Sequence, residues 1–146
     1  MMARDEMKEA LGKLLTKVEP PYDRPSSKDW ADLERRMCTN FGREFITLID
    51  LLSDFDLRGE TLNVVTAGRT NGNPSIAFVY EHECAHGEWP RDMIPFYAVG
   101  NGDYYCLSAR EGCVSCVYYV SHDDGRTELV AKGVGDWICH LAVALM

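Results

Sequence analysis

The sequence lacks the long apolar segments that membrane proteins need. No apolar run approaches the roughly 20 residues of a transmembrane helix. The first ten residues, MMARDEMKEA, are charged where a signal peptide has its apolar centre. We therefore expect a cytoplasmic protein that makes no contact with a membrane.

Several enzyme motifs are also missing. The sequence contains no G-x-S-x-G, no phosphate-binding loop and no dinucleotide fingerprint. The G-N-G-D run at 100–103 has no following helix that would direct N–H groups at a phosphate. The sequence therefore carries none of these enzyme signatures, and we expect no cofactor.

Positive charge is scarce, and the negative charge is unevenly distributed. The chain has 15 Lys and Arg against 23 Asp and Glu, which gives a net charge of -8. Residues 44–124 alone hold 13 acids and four bases, a balance of -9. Such a field repels nucleic acid and anionic membranes and accelerates the encounter with a basic partner. The alternative explanation is that the charge only keeps the protein in solution.

Length and composition predict one globular domain spanning residues 1–146. The hydrophobic content of 46% is enough for a core without disulfides or metals. The six cysteines come without an export signal, so we expect reduced and mostly buried thiols. Residues 1–20 are either part of the core or a variable extension.

Apolar spacing predicts three helices in the first part of the chain. The first covers residues 3–18, and three prolines in the 19–27 run end it. Ser26 or Ser27 caps the second helix, and the third begins near Phe41 and ends near the D-F-D-L-R-G run. The expected inward residues of the second and third helices are Trp30, Leu33, Met37, Phe41, Phe45, Leu48 and Leu52.

The second part of the chain reads mainly as strands. Residues 93–107 predict a central hairpin with its turn at G-N-G-D. A short strand is expected at 62–65, and Asn73 with Pro74 is expected to open a helix that stops at Gly87 or Pro90. A strand at 113–122 pairs with 127–131 across D-D-G-R, and Asp136 caps a last helix. The five tyrosines of these strands should divide between the core and exposed anchors: Tyr97, Tyr104, Tyr105, Tyr118 and Tyr119.

This order predicts an α+β domain. It has a mostly antiparallel sheet of about five to six strands, with N-terminal helices and one C-terminal helix packed on it.

One motif points to metal chemistry. His82, Glu83 and His86 match H-E-x-x-H, in which two histidines one helical turn apart bind zinc and the glutamate acts as a base. A zinc-dependent hydrolase is therefore an alternative hypothesis. The third ligand and its helix are missing, since a β-hairpin follows. We therefore assign no metal site, and both histidines are expected on a solvated helix face.

Two further patterns have structural explanations. Cys113 and Cys116 form C-x-x-C, but they lie in a predicted strand rather than at a helix N-terminus, and no second pair is present. We expect two structural cysteines. The H-D-D-G run at 122–125 is expected to be a hairpin turn rather than a cation site.

Five short runs occur in an order that resembles a known family. They are W-x-x-L-E at 30–34, W-P-x-x-x-I-P-F-Y at 89–97, G-N-G-D-Y-Y-C-L at 100–107, V-Y-Y-V-S-H-D at 117–123 and D-W-I at 136–138. The series spans residues 27–146 and resembles the SUKH superfamily, the group around the Smi/Knr proteins.

The resemblance implies an α+β fold without enzymatic activity. Bacterial members are similar to immunity proteins, which bind and neutralise the toxic domain of a polymorphic toxin, very often a nuclease. Eukaryotic members suggest an adaptor or regulatory scaffold as the alternative. For a basic toxin domain, the residues we expect to bind the partner are acids of the fourth helix and the loops: Glu81, Glu88, Asp92, Asp103, Asp123 and Asp124. Asp103 has a competing structural role, accepting N–H groups of the turn.

Overall fold

A computed structural model describes residues 1–145 and shows the expected α+β fold. Its helices are α1 (Arg4–Leu11), α2 (Ser27–Met37), α3 (Arg43–Asp54), α4 (Ile76–His86) and α5 (Val134–Ala144). Its strands are β1 (Leu15–Lys17), β2 (Phe55–Leu57), β3 (Glu60–Thr61), β4 (Met93–Ala98), β5 (Tyr104–Ser108), β6 (Val117–Val120) and β7 (Thr127–Ala131). Strands β3 to β7 form an antiparallel sheet in chain order, and β1 pairs with β2 separately.

The predicted central hairpin is confirmed as β4 and β5. Ile94 pairs with Leu107, and Ala98 pairs with Tyr104. The register shifts between Pro95 and Tyr97. A shift of this kind suits proline, which has no N–H to contribute to a regular ladder.

One face of the sheet packs against α5, with α1 and α3 beside it. Trp137 of α5 is fully buried at the centre of this layer. Its ring lies 4.9 Å from that of Phe96 and 5.5 Å from that of Tyr97, measured between centroids. Neighbouring strand residues normally point to opposite faces. The register shift in β4 explains why both of these rings contact Trp137.

The other face of the sheet is covered by α4 and the loop that follows it. Trp89, Met93, Cys106 and Val120 form a second, smaller core there. The indole Nε1 of Trp89 donates a hydrogen bond of 2.9 Å to the carbonyl oxygen of Met93. This bond holds the loop against the sheet. Helix α4 and the loop after it therefore lie over β4 and β5.

The N-terminal helix is shorter than predicted. It ends at Leu11, where Gly12 adopts a φ of +37° and its N–H bonds to the carbonyl oxygen of Lys8. Residues 12–14 form a 3₁₀ turn, and residues 15–17 become β1. The apolar spacing continues past Gly12, but pairing with β2 decides the conformation of Leu15 and its neighbours. The helix itself packs on α5 and α3.

Other predicted boundaries were wrong by a few residues. The strand expected at 62–65 lies at Glu60–Thr61 instead, and the strand expected at 113–122 is confined to Val117–Val120. The N-cap of α4 is Ser75 rather than Asn73. The Oγ of Ser75 accepts a hydrogen bond from the N–H of Phe78. The side chain of Asn73 instead donates a hydrogen bond to the carbonyl oxygen of Thr61. Gly133 precedes α5, and Asp136 lies in its first turn.

The prediction of mostly buried cysteines was also wrong. All six are unpaired, and only Cys106 is buried. Cys113 is exposed on a 3₁₀ turn at 112–114, and Cys116 is half-buried just before β6. The C-x-x-C run therefore precedes the strand in which it was expected. Across residues 1–145, no helix has both the length and the apolar character to cross a bilayer.

We expect Trp137→Ala to lower the free energy of unfolding by about 3–5 kcal/mol, since it removes a fully buried aromatic side chain and leaves a cavity. Urea unfolding followed by circular dichroism measures this change. Val143→Ala is the matched control on the same helix, because Val143 is 78% exposed and its truncation should change stability by less than about 0.5 kcal/mol. Equal stabilities of the two variants would contradict the central position of Trp137.

Candidate partner-binding surface

Two turns of the sheet lie at the same end. The β4–β5 turn (residues 99–103) joins strands whose last pair is Ala98 with Tyr104. Tyr104 also pairs with Val120 of β6, so the β6–β7 turn (residues 121–126) leaves the sheet beside the first turn. Antiparallel pairing thus brings together two loops that are about 20 residues apart in sequence.

Asp103 connects these two turns. Its Oδ1 accepts hydrogen bonds from the backbone N–H of His122 at 2.9 Å and from the ring Nδ1 of His122 at 2.7 Å. Its Oδ2 accepts from the hydroxyl of Tyr119 at 2.6 Å. The predicted structural role of Asp103 is therefore present, but its donors belong to the other hairpin rather than to its own turn.

The close approach of the turns depends on Gly102. A Cβ atom at this position would lie 2.9 Å from the His122 ring, and the residue has a φ of +94°. Both conditions favour glycine. The G-N-G-D run thus allows the turn to form and also leaves space for His122.

Charge and hydrogen bonding act on the pKa values of this cluster. Burial alone would raise the pKa of Asp103, but the bonds from Tyr119 and from the backbone and ring of His122 lower it to about 2. The hydrogen bond to Asp103 raises the pKa of His122, and the negative charge of Asp123 adds to this effect. The Nε2 atom of His122 lies 2.9 Å from Oδ1 of Asp123. The ring is therefore held between two carboxylates, which favour its protonated form.

More acids lie around these turns. The loop after α4 packs against the β6–β7 turn so closely that a Cβ atom on Gly125 would lie 2.1 Å from the Glu88 carbonyl oxygen. Burial raises the pKa of Tyr104, and the nearby charges of Glu83 and Glu60 raise it further. Glu60 begins β3 opposite Ala98. We call this group the acidic end; it consists of Glu60, Glu83, Glu88, Asp103, Asp123 and Asp124.

The structure brings together four of the six acids predicted to bind the partner, and they are Glu88, Asp103, Asp123 and Asp124. The other two lie elsewhere. Glu81 is 3.8 Å from Arg36 of α2. Asp92 precedes β4 at the opposite end of the sheet, 3.6 Å from Arg110.

Sequence reasoning missed the contribution of Glu60 and Glu83 to this surface. Glu60 is distant in sequence from both turns and reaches them only through the pairing of β3 with the last residues of β4. The pattern gives Glu83 a role as a base only in the alternative hydrolase hypothesis. Its charge instead acts on Tyr104 and His122, which the sequence gives no local reason to expect.

The H-E-x-x-H run forms the predicted helix, but its three polar residues are divided between two sides. His82 and His86 are exposed, with ring centroids 4.4 Å apart. Glu83 is half-buried toward Tyr104. Within residues 1–145, no group of three or more His, Cys, Asp or Glu side chains is arranged to hold a metal ion. This geometry does not assemble the site that a zinc hydrolase needs.

Two of the five tyrosines of the sheet, Tyr104 and Tyr119, lie beside the acids. Tyr97 is buried, and its hydroxyl donates to the Arg58 carbonyl oxygen at 2.6 Å. The other four are half-buried, and Tyr105 packs edge-on against Tyr119 with centroids 5.5 Å apart. Because Asp103 holds the Tyr119 hydroxyl, this ring is presented in a defined orientation.

We expect Asp103→Asn to lower the free energy of unfolding by about 1–3 kcal/mol, because three donors lose a charged acceptor. The loss should depend on pH. The lowered pKa of Asp103 gives stability that is lost as the pH falls from about 4 toward about 2, and the raised pKa of His122 gives stability that is lost as the pH rises above about 6.5.

Urea unfolding of both proteins between about pH 3 and about pH 8 measures this difference, which should be largest near pH 5. Asp124→Asn is the control, because Asp124 is exposed and its Oδ1 accepts only from the N–H of Arg126. A difference that stays constant across this range would show that Asp103 and His122 do not act as a charged pair.

The fold occurs in a solved structure. The structure described as "Crystal structure of protein from Pseudomonas syringae pv. tomato" superposes with a TM-score of 0.57, covering 91% of this chain and 93% of that chain. The two sequences are 22% identical, so this similarity concerns the fold alone. No curated protein matches the sequence. The profile of the SUKH_5 family, described as SMI1-KNR4 cell-wall, matches residues 5–143, and the chain therefore belongs to this family.

Proposed function

We propose that this chain is a cytoplasmic immunity protein that binds the toxic domain of a polymorphic toxin and neutralises it. Membership of the SUKH family supports a binding protein of this class. The observation that carries the proposal is the acidic end, where strand pairing and the packing of α4 and its loop bring together acids from four separate segments of the chain.

A concentrated negative surface suits a basic partner. A nuclease domain must attract phosphates, so its substrate-binding surface is positively charged. Complementary potentials accelerate the encounter of the two proteins and fix their orientation. An immunity protein seated on that surface would prevent nucleic acid from reaching it.

The acids at this surface differ in how far they are neutralised within the chain. Asp103 is held by three hydrogen bonds, and Asp123 is close to His122. Glu60, Glu88 and Asp124 are exposed, and no Lys, Arg or His side chain in the described part of the chain forms an ion pair with them. Like charges repel when they are gathered together, so a gathering of this kind is explained better by a positively charged partner than by stability of the fold.

The neighbouring tyrosines supply contact area that charge alone does not. Half-buried tyrosines with fixed rings are favoured as anchors in protein interfaces, because little conformational freedom is lost when they are covered. Tyr119 meets this description, because Asp103 holds its hydroxyl and its ring packs edge-on against Tyr105. We propose that the acids steer the toxin domain and that the Tyr119 ring forms a contact in the complex.

The function is tested by capture followed by a toxicity assay. The tagged full-length chain is used as bait in a lysate of the organism that encodes it, and mass spectrometry identifies the bound protein. The corresponding domain should stop growth of a heterologous host when expressed alone and should be harmless when this chain is co-expressed. A captured protein that is harmless by itself would favour the adaptor hypothesis and contradict the proposal.

We expect the triple variant Glu88→Gln, Asp123→Asn, Asp124→Asn to bind the captured domain with an association rate about tenfold lower, since steering depends on these charges. Raising the salt concentration should reduce the wild-type rate and narrow the difference. Surface plasmon resonance at several salt concentrations measures both effects. Asp103 stays unchanged because it connects the two turns.

The matched control changes three other exposed acids, with Asp5→Asn, Glu9→Gln and Asp136→Asn. Each triple variant alters the net charge from -8 by three, to -5. Asp5 and Asp136 lie in the first turns of α1 and α5, and Glu9 lies on α1. If both triple variants bind equally fast, total charge rather than the acidic end controls the association.

A further inference from the structure

The outer face of α4 carries a row of three aromatic side chains. Phe78, His82 and His86 are spaced by four residues, so they lie one above the other on one side of the helix. The rings of Phe78 and His82 stack with an interplanar angle of 14° and a centroid distance of 6.1 Å. Those of His82 and His86 stack at 4.4 Å and 27°. All three side chains are exposed.

A hydrogen bond sets the tautomer of His86. Its Nδ1 lies 2.9 Å from the carbonyl oxygen of His82. A carbonyl oxygen only accepts, so Nδ1 must carry the hydrogen, and the lone pair of the neutral ring is then on Nε2. Histidines that bind metals are oriented by the same kind of bond, which fixes the ring and leaves the other nitrogen to coordinate.

From this geometry we infer that His82 and His86 form a two-point chelate for a divalent transition-metal ion of the Zn²⁺ or Ni²⁺ type. Imidazole nitrogen is a preferred ligand for these ions. The two Nε2 atoms supply two coordination positions, and water fills the others. This inference does not depend on the proposed function, since it concerns another face of α4 and needs no protein partner.

To bind one ion, the two stacked rings must bring their Nε2 atoms together. Two nitrogens at about 2.0–2.1 Å from the same metal are about 3 Å apart. The ring centroids are 4.4 Å apart, and exposed side chains change rotamer within nanoseconds. Glu88 is exposed on the loop after the helix, so the local charge favours a cation.

This chelate differs from the hydrolase that the H-E-x-x-H pattern suggests. Glu83 is half-buried, and its charge acts on Tyr104 and His122 rather than standing beside the exposed histidine pair. In the described chain no third ligand joins the pair. The ion therefore lacks a base to activate its water, and we assign no reaction to the site.

The inference is tested by titrating the full chain with ZnCl₂ and NiCl₂ in a calorimeter. We expect one ion per chain at this site, and His82→Asn and His86→Asn should each bind about tenfold more weakly or worse, because each removes half of the chelate. His140→Asn is the matched control, since His140 is exposed on α5. All variants keep the six cysteines, so any binding by thiols is common to the series.

Two further readouts separate coordination from an indirect effect. In NMR spectra, Zn²⁺ should shift the ring signals of His82 and His86 and leave those of His122 and His140 in place. Affinity should also fall as the pH is lowered, because only a neutral imidazole coordinates a metal. Wild-type affinity in either asparagine variant, or unshifted ring signals of His82 and His86, would overturn the inference.

Discussion

The hydrogen bonds that Asp103 accepts connect the turns of two neighbouring hairpins, and they fix the geometry of the acidic end. One carboxylate bonds to a hydroxyl, a backbone N–H and an imidazole of the β6–β7 hairpin. Pairing of β5 with β6 brings the turn at 121–126 beside the turn at 99–103, and these bonds hold the two turns against each other. Gly102 makes the contact possible because it has no side chain to meet the His122 ring.

Acids in this protein serve two different purposes. Asp50 and Asp54 of α3 bind the guanidinium groups of Arg4 and Arg24, at 2.6–3.1 Å, and so connect the N-terminal segments to the third helix. The exposed acids around the two turns have no comparable arginine partners within residues 1–145. The first set explains part of the fold, whereas the second suits an encounter with a positively charged protein.

Helix α4 contributes to two separate surfaces, and the residues that form them alternate along its sequence. Positions 78, 82 and 86 face outward as a row of stacked rings, while Tyr80, Glu83 and Cys84 are half-buried between the helix and the sheet. The 100° rotation between neighbouring helical residues explains this separation. The residues of the H-E-x-x-H motif are close in sequence, but their side chains lie on two sides of the helix.

Local patterns in the sequence determined the α+β class, the central hairpin and the bodies of α2, α3 and α5, because apolar periodicity and turn residues act over a few positions. Tertiary contacts decided the rest. Leu15 follows a helical pattern but pairs with Leu57, and Glu60 joins the acidic end only because it pairs with Ala98. Residue type and position in a loop were enough to select Glu88, Asp103, Asp123 and Asp124 as candidate partner-binding acids. Which of them share one end of the sheet depends on strand register, and register is set by pairing between segments that are far apart in the chain.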